Sequence, residues 1–150
     1  LMSVLLFSVL TFTACSSDDD DDNGDGNFKI NSESYTVDNA QCQEAGYMAF
    51  NSQFWQGQDS YEFSFRIYDF ETFKAGDDLT EDVIISSFRG TNDFNAGDYD
   101  DENLTGKLVV KSVSNSAIVL EFVNFGFKKI LGDSSTKRYV MNGTISFTRI

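Results

Sequence analysis

The 150-residue chain carries 24 acidic and 11 basic residues, for a net charge of −13, and it contains no histidine and no proline. The acidic balance argues against a nucleic-acid partner, which needs a clustered basic face. The absence of histidine removes Cys-His and Ser-His-Asp catalysis and imidazole metal ligands, so we expect a protein that is not an enzyme.

The chain opens with an apolar run that is too short to cross a bilayer, which needs about 20 residues. Residues 1–14 have the length of a signal-peptide core and end in Ala14, a small residue suited to cleavage. Leu1 precedes Met2, and no basic residue stands ahead of the run. We therefore expect a signal peptide whose basic n-region is truncated in the printed sequence.

The residues around Cys15 form the most specific motif. Phe12-Thr13-Ala14-Cys15 resembles the bacterial lipobox, in which a small residue precedes the cysteine that is lipidated and becomes the new N-terminus. The residues that follow are similar to the acidic export signal of surface-exposed lipoproteins of Bacteroidota: Ser16, Ser17, Asp18, Asp19, Asp20, Asp21 and Asp22. The resemblance implies a lipid anchor on Cys15 and display at the cell surface of the outer membrane. The alternative is a transmembrane stub followed by a solvated charge run.

The composition changes again behind this motif. Residues 15–26 contain only Cys, Ser, Asp, Asn and Gly, from which we expect a disordered acidic tether. Residues 27–150 are then one domain of ordinary size. With Cys15 lipidated, Cys42 has no partner for an intrachain disulfide, and we expect it to be a small buried hydrophobic residue.

From Phe28 onward, apolar and polar residues alternate with the period of β-strands. Residues 28–30 and 35–37 flank a polar turn and predict a hairpin, whereas Asp38 to Gly46 is the one segment that could hold a helical turn. Further strands are predicted over 47–54, 61–68, 83–88, 106–113, 117–127 and 138–149. Seven to nine strands with little helix predict an all-β fold, a single antiparallel β-sandwich or β-barrel-like domain.

Two features of the loops have both a functional and a structural interpretation. Phe73-Lys-Ala-Gly-Asp77 recurs as Phe94-Asn-Ala-Gly-Asp98, and we interpret both copies as glycine turns with a phenylalanine packed under the sheet, rather than as a duplicated ligand loop. Residues 128–138 hold four of the eleven basic residues. We predict a solvated hairpin end there, rather than a contact for lipid headgroups or an acidic partner.

Two candidate ligand sites follow from the side chains. Trp55 is close in sequence to Gln53, Gln56 and Gln58, and an exposed indole beside amides would suit stacking on a sugar ring. Tryptophan is usually largely buried, so a core position is the interpretation that we favour for Trp55. The second candidate is a calcium site in an acidic loop, where carboxylates could supply oxygen ligands; a solvated loop is the alternative. Its residues are Asp93, Asp98, Asp100, Asp101 and Glu102.

Two functional classes are compatible with this sequence. The first is a non-catalytic binding or accessory module at the outer membrane, with a glycan, a peptide or another extracellular ligand as its partner. The alternative is a structural subunit of a larger outer-membrane complex for nutrient uptake or secretion. Polar loops on a rigid β scaffold are a common place for recognition, which favours the binding module.

Overall fold

The computed structural model describes residues 28–70, 73–90, 98–99 and 103–150. These ranges contain nine strands and a single turn of 3-10 helix, so the all-β prediction is confirmed. The strands are β1 (Phe28–Ile30), β2 (Glu33–Glu44), β3 (Met48–Gln56), β4 (Asp59–Ile67), β5 (Ile84–Gly90), β6 (Asp98–Tyr99), β7 (Thr105–Val113), β8 (Ala117–Ile130) and β9 (Thr136–Arg149), with the 3-10 turn at Thr80–Asp82.

All nine strands belong to one curled sheet with the order β5-β4-β3-β2-β1-β9-β8-β6, and β7 also pairs with β8. The pairings are antiparallel except beyond the end of β1, where β2 and β9 meet in parallel for two residues. The connection from β4 to β5 pairs with β7 through the backbone N–H of Gly76, which donates to the carbonyl of Val110 at 2.7 Å. This connection links the two ends of the sheet, as in a β-barrel.

Side chains also bridge the two ends of the sheet. The backbone N–H of Phe88 in β5 donates to the Tyr99 hydroxyl of β6 at 2.6 Å. The Lys129 ammonium of β8 donates to the Phe88 carbonyl at 3.0 Å and is fully buried. Residues 128–138 are therefore not simply a solvated hairpin end, because β8 and β9 continue to Ile130 and from Thr136 and carry Lys129 to the interior.

The core is built mainly from phenylalanine rings on the inward faces of the strands. The alternation predicted for β4 is confirmed, since Phe63, Phe65 and Ile67 are buried. Phe50 stacks on Phe65 with ring centroids 4.8 Å apart. Cys42 is also buried, as predicted for a small hydrophobic residue. Inward side chains thus fill the curl of the sheet and leave its outer face for contact with the surroundings.

A β-bulge divides β8 into two halves of opposite phase. The even-numbered residues from Ile118 to Phe122 are buried, but beyond the bulge the odd-numbered residues Phe125, Phe127 and Lys129 are buried. The two residues between these halves, Val123 and Asn124, are exposed, and Asn124 has a positive φ of 48°. The extra residue reverses the inside and outside faces of the strand, as expected for a bulge.

The helical turn predicted within Asp38 to Gly46 is wrong. β2 continues through this segment to Glu44 because it pairs with β3 on one side and with β9 on the other. The register shifts between Asp38 and Gln41, where Asn39 has a φ of 48°. Cross-strand pairing outweighs the helix-compatible composition of the segment.

The first copy of the repeated loop motif matches its structural interpretation. Phe73 is half-buried and packs on the core beside Phe70, with ring centroids 6.5 Å apart. Gly76 has a φ of 96°, which an L-residue adopts only with strain. Residues 94–97 of the second copy lie outside the described residues, and so do the predicted signal peptide, lipidation site and tether at residues 1–26.

Candidate functional site

The outer face of β3, β4 and β5 carries the residues from which a site can be built. Because side chains alternate across a strand, Gln53, Glu62 and Arg89 project outward from three neighbouring strands. Cross-strand register places them in one row, with Gln53 opposite Glu62 and Glu62 opposite Arg89. Trp55 lies opposite Ser60, two residues beyond Gln53 and close to the hairpin that joins β3 to β4.

These side chains border an open surface groove of about 340 Å³, which we call the Trp55 groove. It is lined by Gln53, Trp55, Ser60, Tyr61, Glu62, Arg89 and Gly90. Trp55 is 41% exposed, so the interpretation that places it in the core is wrong. An indole of this exposure presents a flat apolar face to the solvent beside several polar groups.

Tyr61 and Gly90 form the part of the groove that borders the core. The Tyr61 ring stacks on Phe88 with centroids 5.1 Å apart and meets Tyr35 edge-on at 5.5 Å. A Cβ added to Gly90 would lie 2.8 Å from Cε1 of Tyr61, so only glycine leaves room for the ring in this position. The sequence alone gives no signal that Tyr61, Glu62 and Arg89 are neighbours of Trp55, because their proximity depends on the strand register.

The polar groups of the groove supply both hydrogen-bond donors and acceptors. Among the described residues, neither Glu62 nor Arg89 takes part in an ion pair, although they are cross-strand neighbours and both exposed. The Gln53 side-chain oxygen accepts a hydrogen bond from the Asn39 amide at 3.2 Å, which orients the Gln53 amide. A ligand in the groove would therefore meet a carboxylate, a guanidinium and an oriented amide next to an aromatic face.

The two other glutamines predicted near Trp55 occupy the hairpin end beyond the groove. The Gln56 amide donates to the backbone carbonyl of Ser34 at 3.3 Å and ties β3 to β2. Gln58 lies in the turn that begins at Gly57, whose φ is 61°. Neither residue lines the Trp55 groove, whereas Gln53 does.

The phenol of Tyr35, which lies behind the groove, has a raised pKa. Burial is the main cause that raises the pKa of Tyr35 well above its usual range, and the neighbouring Tyr61 raises it further. The hydroxyl of Tyr35 therefore remains protonated at neutral pH. The charge of this region at neutral pH comes from the carboxylates and basic groups around it, such as Glu62 and Arg89.

The predicted calcium loop is only partly within the described residues. Asp93, Asp100, Asp101 and Glu102 lie outside them, and Asp98 is described only as backbone of β6. Calcium binding by this loop therefore stays a prediction. In the part of the chain that the structure does describe, no group of three or more carboxylate or thiol side chains is arranged to hold a metal ion.

Comparison of the chain with protein-family models, with curated proteins and with solved structures finds no match. Within the described ranges, there is no helix with the length and apolar character needed to cross a membrane.

Proposed function

We propose that this protein is a non-catalytic binding module that holds an extracellular glycan in the Trp55 groove. The observation that carries the proposal is the 41% exposed indole of Trp55, bordered by Gln53, Glu62 and Arg89. Single exposed apolar residues are common on protein surfaces, but this one belongs to a concave site with convergent polar groups.

The chemistry of the groove suits a sugar ring. A pyranose has an apolar face of C–H groups and a rim of hydroxyls, so it needs a flat aromatic surface beside hydrogen-bonding groups. Trp55 supplies the surface, Arg89 and the Gln53 amide supply donors, and Glu62 supplies an acceptor. The residues that line the groove belong to the paired strands β3, β4 and β5 rather than to a long loop.

The N-terminal motif provides the setting for this activity. We propose that Cys15 carries the lipid anchor, that Ser16 to Asp22 direct the protein to the cell surface, and that residues 15–26 act as the tether. Several acyl chains, each contributing about 0.8 kcal/mol per buried methylene, would hold the domain at the outer membrane without dissociation. A tethered binding domain would concentrate glycan near the cell that takes it up.

A direct test is a glycan-array experiment with the detergent-solubilised full chain, followed by titration calorimetry on the strongest ligand. Replacement of Trp55 by alanine should weaken binding about thirtyfold, because a buried aromatic contact at the centre of an interface is worth about 2 kcal/mol. Val123→Ala is a matched control, since Val123 is also 41% exposed but lies on β8. The Val123→Ala variant should bind the glycan with the affinity of the wild type.

The proposal fails if no glycan binds, or if Trp55→Ala and Val123→Ala have the same affinity as the wild type. Co-purification of the solubilised protein with a stoichiometric outer-membrane partner, in the absence of glycan binding, would favour the assembly-subunit alternative instead.

A further inference from the structure

A second aromatic surface lies at the opposite end of the same outer face. Tyr47 immediately precedes β3 and Tyr68 immediately follows β4, and their ring centroids are 5.5 Å apart. Tyr68 is 53% exposed. We call these two residues the tyrosine pair. Like the indole of Trp55, the pair presents aromatic carbon to the solvent at the surface of a central strand.

Arg66 holds the tyrosine pair in place. Its guanidinium carbon lies 5.8 Å from the centroid of the Tyr47 ring and 5.7 Å from that of Tyr68. Each distance is within the range of a cation–π interaction. The two rings therefore share one charged group, which lies close to both of them.

The register of the sheet places the tyrosine pair and Trp55 on one continuous strip. Met48 pairs with Ile67 at one end of the β3–β4 ladder, and Trp55 pairs with Ser60 near the other. Tyr47 and Trp55 are eight positions apart, an even spacing that puts both side chains on the outer face. At the rise of an extended strand, this spacing corresponds to about 27 Å.

The middle of the strip between the two aromatic ends carries uncharged hydrogen-bonding groups, whereas the row of Glu62 and Arg89 lies on its Trp55 side. Its central row is formed by Gln41, Asn51, Ser64 and Ser87 on four neighbouring strands. The hydroxyls of Ser64 and Ser87 lie 2.6 Å apart and share one hydrogen bond, which leaves lone pairs for further partners. This row of amides and hydroxyls contrasts with the net charge of −13 of the whole chain, which would repel a polyanion.

We propose that the outer face of β3–β5 binds one uncharged linear polysaccharide, which lies along the strip from Trp55 to the tyrosine pair. This inference rests on the proposed function, and it specifies that the ligand is extended and neutral. Two aromatic ends separated by a neutral amide-and-hydroxyl row match a repeating chain of sugar rings. A short sugar would occupy one end only, whereas a chain that spans about 27 Å would contact both ends.

The test is calorimetry with neutral oligosaccharides of increasing length, from disaccharides to octasaccharides, in the β-1,4-linked glucose, xylose and mannose series and the α-1,4-linked glucose series. The full chain is used in detergent. Affinity should rise with length until the ligand reaches both aromatic ends. Trp55→Ala should weaken binding at every length, whereas Tyr68→Ala should weaken only the longer ligands, by about tenfold.

Two control variants distinguish loss of the aromatic contact from a general effect on the fold. Tyr68→Phe keeps the aromatic surface and should bind long oligosaccharides as the wild type does, and Val123→Ala should bind all lengths unchanged. Each variant is first shown to retain the wild-type urea midpoint.

The extended site is wrong if Trp55→Ala abolishes binding while Tyr68→Ala has the wild-type affinity at every length; the glycan site at Trp55 then stands alone. If the protein is folded and none of the oligosaccharides binds, both the glycan site at Trp55 and the extended site are contradicted. Stronger binding of a polyanionic glycan than of its neutral counterpart would overturn the neutral-ligand inference but leave the Trp55 site intact.

Discussion

Lys129 is a fully buried lysine whose ammonium donates to the Phe88 carbonyl at 3.0 Å. Lysine is rarely fully buried unless it is paired, so composition alone places it on the surface. Its neighbour Lys128 is only half-buried, although both belong to β8. Alternation along the strand puts adjacent lysines on opposite faces, and the bulge at Val123 and Asn124 decides that Lys129 is the one that faces inward. No feature of the local sequence around Lys129 reveals this bulge.

Truncation of Lys129 should destabilise the protein much more than truncation of Lys128. Lys129→Ala removes a buried stem and a hydrogen bond to a buried carbonyl, which together cost about 3 kcal/mol. Lys128→Ala should cost less than about 1 kcal/mol. Urea unfolding of the two variants measures the difference, and equal midpoints would show that the ammonium of Lys129 contributes nothing to folding.

Cys42 makes the free energy of unfolding depend on pH in the alkaline range. Burial is the main cause that raises the pKa of the Cys42 thiol, and the charge of Arg149 partly opposes it. The unfolded thiol loses its proton near pH 8.5 while the folded one keeps it. The stabilising contribution is therefore complete below about pH 8.5 and is lost as the pH rises through the folded pKa.

The free energy of unfolding should accordingly fall as the pH rises above about 8.5, and it should fall less in Cys42→Ala. The raised pKa of Tyr35 has the same sign but acts above about pH 10, where the unfolded phenol ionises. Tyr35→Phe is thus the control, since it should change the slope only above that pH. An identical slope for Cys42→Ala and the wild type would contradict the prediction.

At the scale of the strand, the β8 bulge controls which side chains reach the core. The backbone N–H of Asn124 donates to the side-chain oxygen of Asn142 in β9 at 2.7 Å, which holds the bulge against its neighbour. On the other side, Gly106 in β7 has a φ of 70°, and a Cβ there would collide with the Asn124 carbonyl. The bulge is therefore supported by both adjoining strands.

The positive φ of Asn124 predicts that two substitutions at this position have different effects on stability. Asn124→Gly should be nearly neutral, because glycine adopts this conformation freely and the backbone N–H is retained. Asn124→Val should cost about 1–2 kcal/mol, because a β-branched residue is strained at positive φ. Thermal unfolding of both variants distinguishes them; equal melting temperatures would mean that the bulge relaxes without cost.

Most strands could be predicted from the sequence because their apolar residues alternate without interruption. β4 is the clearest case, with Phe63, Phe65 and Ile67 on one face. The strand predicted over 117–127 is confirmed, although the alternation did not reveal that its buried face changes beyond Phe122. The prediction fails in the part of β2 that follows Asp38, where the composition is ambiguous. The exposure of Trp55 was one of two alternatives, and its neighbours Glu62 and Arg89 could not be found without the cross-strand register.

At the scale of the whole molecule, the curl of the sheet depends on contacts between its ends. Phe88 in β5 receives a hydrogen bond from Lys129 and donates its N–H to Tyr99 of β6. Backbone groups at a sheet end can otherwise pair with another chain and promote aggregation. These side chains therefore protect part of the β5 edge in a protein that has no proline to do so.

Loss of the Tyr99 hydroxyl should loosen this closure. Tyr99→Phe leaves the Phe88 N–H without that acceptor, at a cost of about 1–3 kcal/mol. Amide hydrogen exchange should accelerate at Phe88 and its neighbours in β5 but remain unchanged in β3. Tyr68→Phe removes a hydroxyl from an exposed ring and serves as the control; the same acceleration in both variants would argue against a specific role for Tyr99.

For the proposed tethered receptor, the short β1 strand would have a mechanical consequence. Under that proposal, a pulling force on a bound polymer would reach the N-terminal tether through Phe28. β1 has only three residues, but the Phe28 ring is stacked on Phe54 at 4.8 Å and meets Phe122 edge-on at 5.4 Å. Packing of the Phe28 ring against the core would thus hold β1 in the sheet under load. In single-molecule pulling from the N-terminus, Phe28→Ala should rupture at lower force than wild type, whereas equal rupture forces would assign the resistance to the backbone ladder alone.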